Sequence, residues 1–244
     1  MFSVGGLGHQ GRRMSGAKGI LRSLLGRIIP LRLLGQLHVE LDALALRVAN
    51  HVLPWRLISL SRARSLRGLK LHIGCGPYRH EGWYHVDFRS SNADLSIDIR
   101  RGLPFGDGSC RFIFCEHVFD HLELRELRGV LSECRRVLEP GGAIRIILPD
   151  LERFVRAYCG RETEWVRAVW GRDLSPTESL NEIFFADIMK RFLHDFSSLS
   201  GALRQAGFKE VYPTAPRESR FPELNIDSNL PHRRLDSLYV EAVR

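Results

Sequence analysis

Three groups of residues have types and spacings that could do chemistry. The first is Gly74-Cys75-Gly76 with Asp87 thirteen residues beyond Gly74. Leu69, Leu71 and Ile73 alternate with Lys70 and His72 and then stop at the glycines, which predicts a short buried strand ending in a tight turn. A second run, Trp83 to Val86, ends in Asp87. Strand, glycine turn, strand and terminal acid can hold a nucleotide-like cofactor, because glycine lets the backbone approach the ligand and the acid accepts from ribose hydroxyls. The spacing argues against a dinucleotide: there is no G-x-G-x-x-G, and the acid comes too early. The second group is Glu116-His117-Val118-Phe119-Asp120-His121. His117 and His121 would share a face if helical, and imidazole suits a general base near neutral pH. The alternative for His121 is a helix cap packed on the sheet. No third ligand stands at a metal-binding spacing, so no metal is expected. The third group is His194-Asp195, just before a late helix, which on its own reads as a surface histidine followed by a helix N-terminal acid.

These groups sit in an ordered series: Leu71-His-Ile-Gly-Cys-Gly-Pro77, Gly82-Trp-Tyr-His-Val-Asp87, Asp98-Ile99, Leu103-Pro-Phe105, Glu116 to Leu122, and Val137-Leu-Glu-Pro-Gly-Gly142. Together they resemble a class I S-adenosylmethionine (SAM)-dependent methyltransferase, in the short-loop branch often found near polysaccharide biosynthesis. The resemblance covers residues 69–148 well and about 197–243 loosely. It implies a doubly wound α/β fold, a mostly parallel seven-stranded sheet whose last strand runs antiparallel. It also implies SAM as cofactor, held by His72, Gly74, Cys75, Gly76, Asp87, Phe88, Asp98, Ile99, Cys115 and Glu116. Asp87 would take the ribose, and Asp98 with Ile99 the adenine; a turn-capping role for Asp98 is the competing reading. His117, His121 and His194 are the catalytic candidates. His72 stands where longer-loop relatives carry an acid, and Asp120 where they usually carry Glu. The implied acceptor is a small molecule or a glycan. A non-catalytic SAM-fold scaffold is the alternative, and RNA methylation ranks last, since the Asn-Pro-Pro-aromatic tetrapeptide of nucleic-acid amino methylases is missing after the fourth strand. No DNA partner is expected.

The elements that must position these residues follow from patterning. A short alternating strand is predicted at 94–99, a buried strand at 112–115, and further strands at 143–148, 209–212 and 238–243. Helices are predicted over His121–Leu138, with Leu124, Leu127, Leu131, Cys134 and Leu138 on one face, and over Ser197–Ala206, capped by Ser197. Residues 150–196 fall outside the alternation. They carry Trp165, Trp170, Phe184, Phe185 and Phe192, and read as an insertion forming a lid or wall for the acceptor.

The chain of 244 residues has a net charge of +8. Its distribution matters more than its size. Residues 1–68 carry a net +9, and residues 69–244 a net −1. The basic character belongs to the N-terminal segment, so the overall charge does not argue for a nucleic-acid enzyme. Residues 1–19 read as a disordered tail, with Met14 a second candidate start. Residues 20–68 read as a basic amphipathic helical extension, broken at Pro30 and ending in a linker from Arg62 to Gly68. The methyltransferase-like domain follows at 69–244. The stripe of Leu34, Leu37, Leu41, Leu44, Val48 and Val52 supports two readings of residues 20–54. One is a helix packed on the domain or on a second subunit, which is favoured. The other is a helix lying on an anionic membrane surface. Charges interrupt every long apolar run, so neither a membrane span nor a secretory signal is predicted. No acid precedes Glu40, which leaves a mitochondrial presequence open. Five cysteines without a C-x-x-C fit a reducing, cytoplasmic setting.

Overall fold

A computed structural model describes residues 31–185 and 189–244. The tail expected at 1–19 and the helical stripe at 20–29 lie outside the described residues.

Seven strands form one sheet: β1 (Leu69–Ile73), β2 (Tyr84–Asp87), β3 (Leu95–Ser96), β4 (Cys110–Glu116), β5 (Leu138–Pro149), β6 (Glu210–Pro213) and β7 (Ser237–Val243). Their spatial order is β3-β2-β1-β4-β5-β7-β6. β1 to β5 are mutually parallel, and β7 runs antiparallel to both β5 and β6. This is the doubly wound, mostly parallel sheet that the resemblance implied, with its last strand antiparallel. The order reverses beside β1, between β2 and β4, so the carboxyl ends of β1 and β4 open onto a crevice.

Alternation along the strands divides the core between two faces. Leu71, Ile73, Ile113 and Cys115 pack on one face with α3 (Leu124–Val137) and α7 (Phe196–Gln205), through Leu127, Leu131, Leu199 and Leu203. Phe112, Phe114, Ile147 and Tyr239 pack on the other with Trp83 and Leu224. The first helix starts later than its pattern suggested. A 3-10 turn spans Phe119–His121, and Glu123 forms the N-cap, with its backbone N–H donating to Glu126 at 3.0 Å. The cap of α7 is Asp195 rather than Ser197: its Oδ1 accepts from the Ser198 N–H at 2.7 Å.

The insertion contains α4 (Leu151–Cys159), α5 (Thr163–Trp170) and α6 (Pro176–Phe185). Phe154, Val169, Ile183 and Leu193 form a small core of their own, with Trp165 and Trp170 packed against it.

Two helices precede β1: α1 (Leu31–Val52) and α2 (Pro54–Ser65). The segment expected as a linker from Arg62 is helical as far as Ser65. α1 packs on the domain, but not through its apolar stripe. Val39 and Ala43 are its buried apolar residues. Around them Arg47 Nε donates to Asp98 at 2.9 Å, Arg100 Nη1 donates to Glu40 at 2.6 Å, and Asn50 Nδ2 donates to the Ser96 carbonyl at 3.2 Å. Leu37, Leu41, Leu44, Val48 and Val52 of the stripe, with Leu33 beside them, face outward, while Leu34 is half-buried. The physical reason is charge matching: the rim of the crevice presents Asp98, Arg100 and Arg89, so the polar edge of α1 turns toward it.

Candidate active site

Two cavities open at the carboxyl ends of the strands. One lies between β1, β2 and the turn after β3. Ile73, Val86, Ile97, Ile99, Val118 and Leu122 give it apolar walls, and Asp87 and Asp98 stand at its polar edge. Phe88 lies beside them, and Gln36, Val39 and Glu40 of α1 close it from above. The other cavity, about 660 Å³, lies beyond β1 and β4. Its walls include His72, His80, Glu116, Asp120, Arg217 and Arg233. The residues that line both cavities are Gly74 and His121.

Local chemistry explains the turn between them. Gly74 and Gly76 have φ of +73° and +53°, a region that favours glycine. A Cβ on Gly74 would stand 2.0 Å from Val118 Cγ2, so no larger residue fits while Val118 keeps its place. Asp87 holds the turn shut. Its Oδ2 accepts from the Gly76 N–H at 2.9 Å, and its Oδ1 from Arg89 and Ser90 at 2.7 and 2.8 Å. A carboxylate has about four lone-pair sites, so one oxygen direction remains for a hydroxyl.

Asp98 is more heavily engaged. Its Oδ1 accepts from Arg100 N and Nε, and its Oδ2 from Arg47 Nε and Nη2 and Arg100 Nη2. Burial alone would raise its pKa, but the two guanidiniums outweigh that and lower it. The capping alternative is realised here, since Asp98 opens the 3-10 turn Ile99–Arg101. An adenine amine must compete with Arg47 or Arg100 for this carboxylate.

The three histidine candidates separate. His117 is half-buried with φ of +52°, a strained value for a residue other than glycine. Arg233 Nη1 donates to its Nδ1 at 2.8 Å, so the ring proton sits on Nε2 and points to Ser237 Oγ at 2.9 Å. Ser237 in turn donates to Asp236 at 2.6 Å. Loss of water around the ring, then the Arg233 charge, push the His117 pKa well below the usual histidine range. Both nitrogens are committed, so His117 braces the turn after β4 against β7 instead of standing ready as a base. His194 is buried and lines neither cavity; its Nδ1 meets Ser198 Oγ at 3.1 Å, and burial pushes its pKa down to about 4. His121 alone reaches both cavities, with its Nε2 3.8 Å from Asp120 Oδ2.

The cofactor candidates divide as well. Gly74, Asp87, Phe88, Asp98 and Ile99 line the first cavity. His72, Cys75, Gly76 and Glu116 line the second. Glu116 is held there by Ser228, whose backbone N–H donates to it at 3.0 Å. Cys115 lines neither, because strand alternation turns it into the core. His72 lies among His80, His85 and Phe114, and burial, then the two neighbouring histidines, lower its pKa to about 3. It is neutral and replaces no carboxylate. Trp165, Trp170, Phe184 and Phe185 line neither cavity; within the insertion region, Lys190 faces the second.

Two further residues that were not among the cofactor or catalytic candidates shape the site. Asp120 is 1% exposed, and among the described residues neither carboxylate oxygen has a hydrogen-bond partner. Arg145 in the middle of β5 is fully buried. It grips Asp227 through Nε and Nη2 at 2.7 and 2.6 Å, Glu241 at 3.0 Å and Thr214 at 2.8 Å. That cluster pins the stretch 214–229, which carries Arg217, Ser228 and Asn229 into the second cavity. A lone arginine in the apolar run Ala143–Leu148 was the one visible signal for it. Among the described residues no group of three or more His, Cys, Asp or Glu could hold a metal.

The residues fit SAM: an apolar slot for a purine, an acid with capacity for a ribose, and a glycine turn between that slot and a wider polar cavity. A family model for a methyltransferase domain matches residues 78–146. None of the curated proteins matches. Among solved structures, a SAM-dependent methyltransferase from Thermotoga maritima is 16% identical with a TM-score of 0.46, covering 81% of this chain and 97% of that one. A SAM-dependent methyltransferase from Archaeoglobus fulgidus is 15% identical with a TM-score of 0.43, covering 83% and 94%. Phosphoethanolamine N-methyltransferase 2 from Haemonchus contortus, solved with SAM, is 16% identical with a TM-score of 0.44, covering 77% and 51%. At those scores the fold rests on the strand order of this chain itself. That order is a Rossmann-like, mostly parallel seven-stranded sheet, the methyltransferase-domain match falls on residues 78–146 of it, and the residues of the first cavity and its glycine turn fit SAM as the cofactor.

Proposed function

We propose that this chain moves a methyl group from SAM to a polar small-molecule or carbohydrate-like acceptor. The observation that carries the reading is the meeting of the two cavities at Gly74 and His121. Bound SAM supplies an already activated methyl group, so the chain's own work is positioning, water exclusion and removal of the acceptor's proton. Gly74 brings the backbone close to the junction. Asp87 orients the ribose side while keeping the turn closed. His121 stands where the acceptor's nucleophile would lose its proton, and the Asp120 carboxylate beside it would favour the imidazolium that forms. His117 is a positioning residue, and so is Arg145.

A polar acceptor is supported by buried atoms that lack partners on the wall of the second cavity: His72 Nδ1 and both Asp120 oxygens. Two unmet carboxylate acceptors and an unmet ring nitrogen in a cavity of this size suit a ligand rich in hydroxyl or amino groups. The five free thiols support a reducing, cytoplasmic setting.

Titration calorimetry with S-adenosylhomocysteine tests the first half. Asp87→Ala should weaken binding by about 1–3 kcal/mol through lost hydrogen bonds. The second half is read by incubating the protein with radiolabelled SAM and cell extract, then fractionating. Label in polar small molecules or glycans is expected, and His121→Gln should abolish it while still binding S-adenosylhomocysteine. No heat with the native chain would end the cofactor reading. Label in RNA, or none anywhere, would overturn the acceptor class or the activity itself.

A further inference from the structure

We propose that the outward face of α1 and α2 seats this chain on an anionic membrane surface. α1 is one helix, about 33 Å long, with two separate faces. At 100° per residue, Leu33, Leu37, Leu41, Leu44, Val48 and Val52 fall within an arc of about 100°. Each of them is 52–65% exposed. Trp55 and Ile58 extend the exposed apolar surface onto α2. Val39, Ala43, Arg47 and Asn50 lie on the opposite arc, which is the one that meets the domain. Scattered single apolar residues on a surface need no explanation, but a continuous stripe of this length does.

Charge identifies the occupant. Residues 1–68 hold 11 Lys/Arg and only two acids, Glu40 and Asp42. Both acids are matched by arginines of the domain: Glu40 by Arg100 at 2.6 Å, and Asp42 by Arg89 at 2.5 Å. Neither therefore opposes an anionic surface. Arg56, Arg62, Arg64 and Arg67 follow the stripe in the chain, and Arg12, Arg13, Lys18, Arg22 and Arg27 precede it. A second copy seated on this face would bring two such basic segments together. A bilayer with anionic headgroups satisfies both features at once, apolar residues at the acyl boundary and arginines at the phosphates. Trp55 at the end of the stripe suits the headgroup level, where an aromatic ring with a polar edge is favoured. Among the described residues no helix is long and apolar enough to cross a membrane, so the contact is with the surface. This surface stands independently of the acceptor, because the cofactor cavity meets the other side of α1.

The test is sedimentation of the full-length chain with vesicles of phosphatidylcholine, with and without phosphatidylserine. Pelleting is expected with the mixed vesicles, and it should weaken as salt screens the arginines. Leu37→Gln with Leu41→Gln should reduce binding by about tenfold or more, since each change removes apolar burial. The pair should leave the melting temperature and S-adenosylhomocysteine affinity unchanged, because both side chains face away from the domain. An independent measurement is quenching of tryptophan fluorescence by brominated lipid, expected in the native chain and lost in Trp55→Phe. Absence of pelleting with phosphatidylserine at low salt would overturn the proposal. So would pelleting that the double substitution leaves intact, or a concentration-dependent dimer that it abolishes, which would assign the face to a second copy.

Discussion

Gly74→Ala strikes the point where the two cavities meet, and its cost can be worked from two separate sources. The first is backbone: an alanine held at φ of +73° costs about 1–2 kcal/mol relative to its preferred conformations. The second is steric. The new Cβ would stand 2.0 Å from Val118 Cγ2, 3.3 Å from Cγ1 and 3.2 Å from Cβ, so Val118 must move within a packed wall. Overpacking of that kind costs about 1–3 kcal/mol. The sum is about 2–5 kcal/mol, a fall of roughly 4–20 °C in melting temperature for a chain of this size. Val118→Ala separates the two sources. It removes both Cγ atoms and leaves only the 3.2 Å approach, so the double variant should recover the steric part and keep the backbone part. The assay is urea unfolding of the native chain, both single variants and the pair, with S-adenosylhomocysteine titration alongside. The expected coupling is about 1–3 kcal/mol, in the range measured for residues in direct contact. Strictly additive effects, or a Gly74→Ala variant as stable as the native chain, would refute the reasoning, because neither is compatible with this turn geometry.

Arg145→Leu should destabilise the chain by about 3–5 kcal/mol in urea unfolding, since it strands Asp227 and Glu241 as buried charges. Adding Asp227→Asn and Glu241→Gln should restore much of that loss; no recovery would show that packing and not charge holds the cluster. Acid should also weaken the fold. His72 and His194 have folded-state pKa values of about 3 and about 4, below the ordinary value of 6.5. The unfolded chain therefore binds protons that the folded chain refuses, and the stability of the neutral rings, complete above about pH 6.5, drains away as pH falls toward those values. Urea midpoints measured from pH 7 to 4 should fall, and His72→Phe should flatten the slope; an unchanged slope would remove His72 from the account.

Much of the fold was legible because its signals are local. Leu69 to Ile73 alternates and stops at glycine, so β1 and its turn follow from chain stereochemistry alone. Asp87 ends the next strand by an equally local pattern, and it holds that turn closed. The edges of elements were less legible where capping chemistry competes: Glu123 begins α3, and Asp195 takes the cap that Ser197 seemed to offer. What only tertiary structure decided depends on partners distant in sequence. His117 looked like a base until Arg233 and Ser237, more than a hundred residues away, were seen to take both its nitrogens. Arg145 and Asp120 give no periodic signal, since their roles arise from residues brought to them by β7 and by the chain before α7. The stripe of α1 is the sharpest case. A helical period reports that a helix has an apolar face, but only the charges waiting on the domain determine which face turns inward. Here Asp98, Arg100 and Arg89 drew the polar edge, and the leucines were left facing outward.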